Sequence, residues 1–499
     1  MEGEQEAVLD LLIINPGAAH GIYGELGNDL VAVEPPMWCR LIAGYVRDRG
    51  YSVQIIDAEA ERFSPYQVAT LAYQHNPRIA CIAVYGHQPS ASTQQMVGAG
   101  AIAREIKKLV VSIPIIMVGG HVAALPERTL AEEAIDYACN GEGPVTIVEL
   151  LKQTAGIGDF KEVIPGLVHW GPDGAAFNSP SAPLIPIDEL HGDAWDLLPM
   201  TLYRAHNWQC FGDLGKRQPY ASIMTSLGCP YKCSFCCINA PFGTNRYRMR
   251  KPADVVAEIA MLYRDYGVRT FKIVDEMFVL NPKHYLAICD GLIEAELGPE
   301  LNIWAYARID TVQPATLEKL RAAGIRWLAL GIESGSKHVR DGAAKSLKNE
   351  DITGVVRSIQ AAGINVIGNY IFGLPDDNHA SMQDTLNLAL DLRTEFANVY
   401  SAMAYPGSPL YAQAVEHGRT LPQSWSGYSQ HNADCRPLDT EHVAARDVLA
   451  FRDAAFTRYF TDPAYLGMIY DKFGAATLEH VTEMTKFKLP RKLLTGEIS

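Results

Sequence analysis

Strand-sized apolar runs separated by helix-sized amphipathic stretches occur twice along this chain, over residues 8–150 and again over 221–404. Parallel strands need a long crossover and are buried on both faces, so this alternation predicts two parallel sheets clothed in helices. In the first run, 8–14 reads as a buried strand stopped at Asn15-Pro-Gly17. A helix over 37–49 stops at Gly50, and further strands are expected at 52–57, 79–85 and 115–118. That is a doubly wound α/β domain of Rossmann or flavodoxin-like type. In the second run, strands are expected at 221–226, 270–274, 303–308, 327–330, 366–372 and 399–404. Helices such as 252–266 and 351–362 lie between them, with Gly324 and Gly363 at helix ends. Six strand–helix units suggest a partial (β/α)6 TIM-type barrel, whose chemistry belongs at the carboxyl ends of its strands. A chain of 499 residues exceeds one ordinary core. The expected division is a first domain over 1–155, a connector over 156–215, the barrel over 216–424 and a small, mostly helical C-terminal region over 425–499. The stretch 203–220 is expected to pack across the barrel mouth. Plain packing is expected for most of Trp425, Tyr428, His431, Tyr459 and Tyr465, with lining of a substrate pocket the alternative.

Composition excludes several classes of function. The formal net charge of −14 argues against a nucleic-acid partner, which favours a basic face. No apolar run approaches the ~20 residues of a membrane helix, so no stable membrane insertion is expected. The start Met1-Glu-Gly-Glu-Gln-Glu6 lacks the positive charge and apolar stretch of a secretory signal, which points to the cytoplasm. Of ten cysteines, Cys39, Cys81, Cys139, Cys210, Cys289 and Cys435 stand alone. Such scattering is not a disulfide framework.

The other four sit together in Ser226-Leu-Gly-Cys-Pro-Tyr-Lys-Cys-Ser-Phe-Cys-Cys237, just after the first strand of the second run. Cys229, Cys233 and Cys236 have the spacing C-x-x-x-C-x-x-C, which can offer three thiolates to one soft metal centre. A closed structural site uses four ligands, and three leave a position open for chemistry. A four-cysteine zinc knuckle including Cys237 is the structural alternative, although adjacent cysteines close a tetrahedral site poorly. Here the chain resembles the radical S-adenosylmethionine (SAM) enzymes. That resemblance implies a [4Fe-4S] cluster on Cys229, Cys233 and Cys236, with SAM on the fourth iron. Phe235, before the third cysteine, fits the same pattern.

The first domain resembles the cobalamin-binding domain that precedes the barrel in one branch of that superfamily, through Val118-Gly-Gly-His121, Pro126-Glu127 and Asn140-Gly-Glu-Gly143. The resemblance implies cobalamin contacts from Tyr85, His87, Gln88, Ser90, Gly119, Gly120, His121, Gly141, Glu142 and Gly143. Asp-x-His-x-x-Gly, whose histidine sits beneath cobalt in other cobalamin proteins, is absent, and Ala18 stands where the aspartate would precede His20. Base-off cobalamin without a histidine ligand is therefore implied, its lower face covered by Tyr85, His87 or Gln88.

The barrel's strand ends carry polar residues where buried runs finish, and they resemble the same branch. By that likeness Asp275, Glu276, Arg308 and Glu333 contact SAM, the carboxylates suiting its ammonium and ribose and the arginine its carboxylate. A solvated loop charge is the plain alternative for any one of them. The function implied is cobalamin-dependent radical SAM methylation of an unactivated carbon. A cobalamin-dependent radical SAM cyclase or oxidase, and a sensor without turnover, are the alternatives. A small-molecule or peptide substrate is implied, with an external electron donor such as flavodoxin or ferredoxin. No catalytic side chain beyond the cofactor ligands is identified.

Overall fold

The computed structural model describes residues 8–17, 31–156, 163–347 and 351–498. The expected acidic start and His20 lie outside them. The described chain forms two compact units. One contains 8–17, 35–156, 163–202 and 237–245. The other contains 31–34, 203–236, 246–347 and 351–498.

The first unit is built on strands β1 (Leu11–Asn15), β2 (Val53–Asp57), β3 (Ile79–Ala83), β4 (Ile115–Val118) and β5 (Tyr137–Cys139), with β6 (Leu167–Trp170) and β7 (Ala176–Asn178) added at one edge. Their order is β2-β1-β3-β4-β5-β6-β7. The pairs from β2 to β5 are parallel, and β5–β6 and β6–β7 are antiparallel. Every residue of β1, β3 and β4 is buried, as expected of strands covered on both faces. The order 2-1-3-4-5 is flavodoxin-like, and ligands of such sheets lie outside the carboxyl ends of the strands at the point where the order reverses. The hairpin β6–β7 falls within the expected connector and extends this sheet.

The second unit carries six parallel strands: β8 (Tyr220–Ile223), β11 (Thr270–Ile273), β12 (Asn302–Arg308), β13 (Ile325–Glu333), β14 (Asn365–Phe372) and β15 (Phe396–Ser401). They run β15-β14-β13-β12-β11-β8, an open, curled sheet in which β15 and β8 are the two edges. A two-stranded ribbon of β9 (Ser226–Leu227) and β10 (Arg248–Met249) leaves the end of β8. Helices follow most strands, and Pro at the first positions of Pro252–Asp265, Pro282–Glu294 and Pro409–Glu416 sets their starts.

The stretch 203–220 packs at the opposite end of the barrel from the one expected. Its turn Trp208–Cys210 lies against the amino ends of the strands. The Gln209 amide donates to the carbonyls of Phe271 (2.8 Å) and Asn302 (3.1 Å), near the starts of β11 and β12. Trp208 meets Trp304 and Trp327 edge-on, with ring centres 5.2 and 5.5 Å apart. A six-stranded partial barrel leaves this floor open, and aromatic burial is what draws the segment in. The tail divides likewise. Tyr428 and Trp425 pack with Met403 and Tyr405 beyond the carboxyl end of β15. Tyr459 and Tyr465 instead donate to the carbonyls of Thr394 (2.6 Å) and Glu395 (3.2 Å), just before β15 begins. They therefore pack remote from any pocket at the strands' carboxyl ends. The tail aromatics thus satisfy the plain packing expectation at two different ends of the barrel. The His431 imidazole is driven down to about 3 by burial, with Arg452 and Arg491 adding to it, so it stays neutral.

One ion pair sits inside this floor. Lys272 of β11 reaches Glu34 at 2.9 Å, with the two side chains 2% and 5% exposed. The ammonium also lies 5.0 Å from the centre of the Trp304 ring. Removing one member of a buried pair strands the other charge, while replacing both with apolar groups is tolerated. Glu34→Gln should therefore lower stability by about 3 kcal/mol, and Glu34→Gln with Lys272→Met should recover most of that loss. Urea unfolding followed by tryptophan fluorescence checks this, and equal losses in the single and double variants would contradict it.

Candidate functional site

The cluster loop leaves β8 through a buried carboxylate. Asp275, at the end of β11, accepts the backbone N–H of Thr225 at 2.6 Å and the hydroxyls of Thr225 and Ser226, each at 2.5 Å. Burial raises this carboxyl and the donors from Ser226 and Thr225 oppose it. Both oxygens are thus engaged with the chain's own groups. Gly228 (φ +81) then turns the backbone into the loop. Ser234 N–H donates to Ala343 at 3.0 Å, and Leu410 N–H donates to the carbonyl of Ser234 at 2.8 Å. Phe235 fixes the same segment by packing on Val339, Ala343, Leu374 and Ala402 on one side and on Ala404 and Leu410 on another.

Within this loop the cysteines divide. Cys229, Cys233 and Cys236 are half-buried, whereas Cys237 and the six scattered cysteines are buried, and none of the ten is in a disulfide. Burial pushes the Cys229 thiol up to about 11, so a bound cation is needed to hold it as thiolate. Among the described residues no three His, Cys, Asp or Glu side chains converge on a single metal ion. A four-iron cube asks less, because each thiolate binds its own iron and the sulfurs need not meet at one point. The donor set therefore fits a cluster with one iron left to another ligand.

Around this loop the strand ends collect charge. Glu276 follows β11 and is half-buried, and among the described residues no hydrogen bond reaches its carboxyl. Burial lifts it to about 7, Asp275 adds to the rise, and Lys272 and Lys345 oppose it. Arg308, at the end of β12, grips Asp310 with two nitrogens at 2.9 and 3.3 Å and donates to the Ser346 carbonyl at 3.0 Å. Its guanidinium lies 3.9 Å from the ring centre of Tyr231, inside the cluster loop. Glu333 ends β13 at φ +63, a strained backbone for a non-glycine residue, where the pairing with β14 slips. Its carboxylate accepts Lys345 at 2.9 Å, both side chains being about nine-tenths buried. A Cβ at Gly331 would stand 2.5 Å from that carboxylate and 2.8 Å from the ammonium, so glycine makes room for the pair. Burial alone would lower the Lys345 ammonium; Glu333 and Cys233 outweigh it and raise it. Lys345 and Tyr231 escape the sequence reading, Lys345 because it falls in no motif and Tyr231 because it occupies an unspecified position between Cys229 and Cys233.

In the first unit the expected cobalamin residues follow β3, β4 and β5. Tyr85 is buried, stacked on Trp38 at 4.2 Å between ring centres, and its hydroxyl donates to the Glu142 carbonyl at 2.6 Å. His121 is buried, its ring nitrogen 3.2 Å from the Thr93 hydroxyl, and burial takes it down to about 3. The Glu142 carboxylate accepts Ile185 N–H at 3.0 Å. His87, Gln88 and Ser90 are half-exposed on the loop after β3. Gly119 (φ +152) is required, because a Cβ there would lie 2.0 Å from the Val84 carbonyl oxygen. Gly143 (φ +101) opens the helix Pro144–Thr154. A Cβ at Gly120 or Gly141 would instead make only ordinary van der Waals contact, at 3.5 and 4.0 Å, so neither position requires glycine for want of space. The side chains left accessible to a corrin are thus His87, Gln88 and Ser90 on the loop after β3, Tyr85 and His121 being held in internal contacts.

Comparison with known proteins finds the same two domains in the same order. Residues 26–151 match the B12 binding domain and residues 223–389 the radical SAM superfamily. An uncharacterized methyltransferase of Pyrococcus horikoshii is 26% identical over 461 residues, covering 92% of this chain and 94% of that protein. The anaerobic magnesium-protoporphyrin IX monomethyl ester cyclase of Cereibacter sphaeroides is 25% identical over 406 residues, covering 79% of this chain and 62% of the cyclase. Among solved structures, the radical SAM methyltransferase TsrM of Kitasatospora setae, with cobalamin and a [4Fe-4S] cluster bound, superposes with a TM-score of 0.67. It shares 18% identity over 92% of this chain and 90% of that one, which bears on the fold.

The division among the cysteines gives a direct test. After anaerobic reconstitution with iron and sulfide, Cys233→Ala should lose most bound iron and the cluster's visible absorption. Cys237→Ala should keep both, and iron analysis showing loss in Cys237→Ala would restore the four-cysteine site.

Proposed function

We propose, for a chain that belongs to the radical SAM superfamily and carries an N-terminal B12-binding domain, that it methylates an unactivated carbon of a small biosynthetic intermediate or peptide. The observation that carries this reading is the segregation of the cysteines. The three in C-x-x-x-C-x-x-C are the accessible ones, on the loop that leaves the first strand of a parallel barrel, in a chain that also has a B12-binding unit. When bound, the cluster with SAM supplies a 5′-deoxyadenosyl radical that takes hydrogen from carbon, and cobalamin supplies the methyl group.

The chain's own residues hold and orient. Cys229, Cys233 and Cys236 would bind the cluster, with Phe235 anchoring their loop in apolar packing. Glu276, whose carboxyl takes no hydrogen bond among the described residues, would receive the SAM ammonium or ribose, and Asp275 beside it would place the segment from which the loop starts. Arg308 keeps one guanidinium nitrogen beyond those used on Asp310 and Ser346, which suits the SAM carboxylate. Glu333, held by Lys345, would face SAM from the fourth strand end. In the B12-binding unit, His87, Gln88 and Ser90 with the backbone at Gly119, Gly120, Gly141 and Gly143 would border the corrin. His87 or Gln88 would then cover the lower face of cobalt in the base-off form, since Tyr85 is stacked and hydrogen-bonded elsewhere.

A second reading has its own observation, the cyclase relative. It keeps both cofactors and transfers no methyl. Anaerobic turnover of reconstituted protein with SAM, a reductant and candidate substrates separates the two by product mass. The expected outcome is 5′-deoxyadenosine together with product gaining one CH2 unit. Loss of hydrogens without that gain would establish the cyclase or oxidase reading, and no 5′-deoxyadenosine at all would refute both.

A further inference from the structure

The side chains of β14 separate the two sides of the barrel sheet. Phe372 meets Phe451 of helix Ala445–Phe460 at 5.1 Å between ring centres, so Phe372 faces the helices, and by the alternation of a strand so do Tyr370 and Gly368. Asn369 and Ile371 then face inward, and Ile371 packs on the same apolar cluster as Phe235 of the cysteine loop. Asn369 lies two residues before Ile371, about 7 Å along the strand from that layer. Asn398 of β15 is its partner in the register, and Tyr400 follows on the same face as Asn398. The Tyr306 phenol on β12 is pushed up by burial first and then by Tyr400, Glu276 and Glu34, which places it among those three side chains. Burial pushes the Tyr400 phenol up to about 12, with Arg452 opposing and Glu333 adding. Both phenols therefore stay protonated and able to donate at neutral pH.

The two amides are oriented by their own network. The Leu330 carbonyl only accepts, so Asn369 gives it an N–H at 3.1 Å, and the Asn369 oxygen is left to accept the Asn398 N–H at 2.9 Å. Asn398 therefore keeps its oxygen and one N–H. Among the described residues no hydrogen bond reaches either group, nor the hydroxyls of Tyr306 and Tyr400.

The cations beside this face are engaged elsewhere. Lys272, Arg308 and Lys345 are paired with Glu34, Asp310 and Glu333, and Arg452 holds Asp453 and the Val399 carbonyl. A carboxylate or phosphate brought here would be desolvated without a partner of its own. A pure hydrocarbon would bury the amide and the phenols with their hydrogen bonds unmade, which is also costly. We propose that Tyr306, Asn398 and Tyr400 form a specificity-determining subsite that takes an uncharged substrate fragment bearing both a carbonyl oxygen and an N–H, such as a carboxamide or lactam. The Asn398 N–H and a phenol donate to the carbonyl, and the Asn398 oxygen accepts the N–H. This rests on the reading of the barrel as the site of a radical methylation and narrows the substrate class of that reaction.

The test uses the full chain reconstituted with iron, sulfide and cobalamin and loaded with SAM, without reductant. Binding of benzamide, benzoate and ethylbenzene, three probes of similar size, is measured by ligand-observed NMR titration. The wild type should bind benzamide about tenfold more tightly than either analogue. Asn398→Leu should bring benzamide and ethylbenzene to nearly equal affinity, and Tyr400→Phe, which removes only a hydroxyl, should narrow the same ratio. The ratio is the readout because a variant that had merely lost packing would weaken all three probes together. That uniform weakening would overturn the assignment, as would variants that keep the full preference. A wild type with no preference for benzamide, or no binding of it at all, would overturn the substrate class. The underlying reading fails separately: a wild type that releases no 5′-deoxyadenosine with SAM and reductant would overturn the reaction that the subsite serves, whatever the probe ratio.

Discussion

A buried carboxylate decides where the barrel's chemistry sits. Asp275 spends both oxygens on Thr225 and Ser226, the last residues before the cluster loop. It ties the end of β8 to the end of β11, its parallel neighbour. A carboxylate in this position is costly to bury and is compensated only when three donors aim at it. Those donors exist because the backbone after β8 turns to present Thr225 N–H inward. The start of the cysteine loop is therefore determined by the sheet, and Phe235 fixes its far side by ordinary apolar packing.

The remaining charges of the barrel interior cancel in neighbouring pairs. Lys272 meets Glu34, Arg308 meets Asp310, and Lys345 meets Glu333. An unpaired charge at low dielectric is costly, so pairing offsets the burial of these groups and holds them at fixed positions. Glu276 differs from these: burial lifts it to about 7 against the pull of Lys272 and Lys345, and among the described residues no hydrogen bond reaches its carboxyl. A cationic ligand is the kind that would restore the balance there, and the proposed SAM is a sulfonium with an ammonium. The strained backbone at Glu333 points the same way, since left-handed conformations at non-glycine residues persist where surrounding contacts over-determine them.

Inside the barrel, Tyr306, Asn369, Asn398 and Tyr400 are half-exposed on strands whose intervening residues are buried. The Asn398 amide donates to Asn369 at 2.9 Å, and Asn369 donates to the Leu330 carbonyl at 3.1 Å. These phenols and amides share the inner side of the strands, where Tyr306 packs against the cluster of Trp208, Trp304 and Trp327. Rigid aromatic and amide walls discriminate by shape and hydrogen-bond position, which is where related enzymes sharing cofactors can differ in outcome.

What the sequence made legible was local. Strand periodicity located the two parallel sheets, and the cysteine spacing located the loop, because each pattern is written in consecutive residues. The hairpin β6–β7 was hidden in a stretch rich in Gly and Pro, where short antiparallel strands leave little periodic trace. The aromatic turn at Trp208 was assigned to the wrong end of the barrel, since a run of residues shows that it is apolar and not which opening it fills. Glu34 and Lys345 were missed for a deeper reason. Glu34 acts on Lys272, 238 residues away, and Lys345 acts on Glu333 from a loop with no motif of its own. A buried ion pair is defined by two distant positions meeting in a dry place, and neither residue alone differs from a solvated surface charge. Roles that depend on such meetings become visible only when the fold has put the partners together.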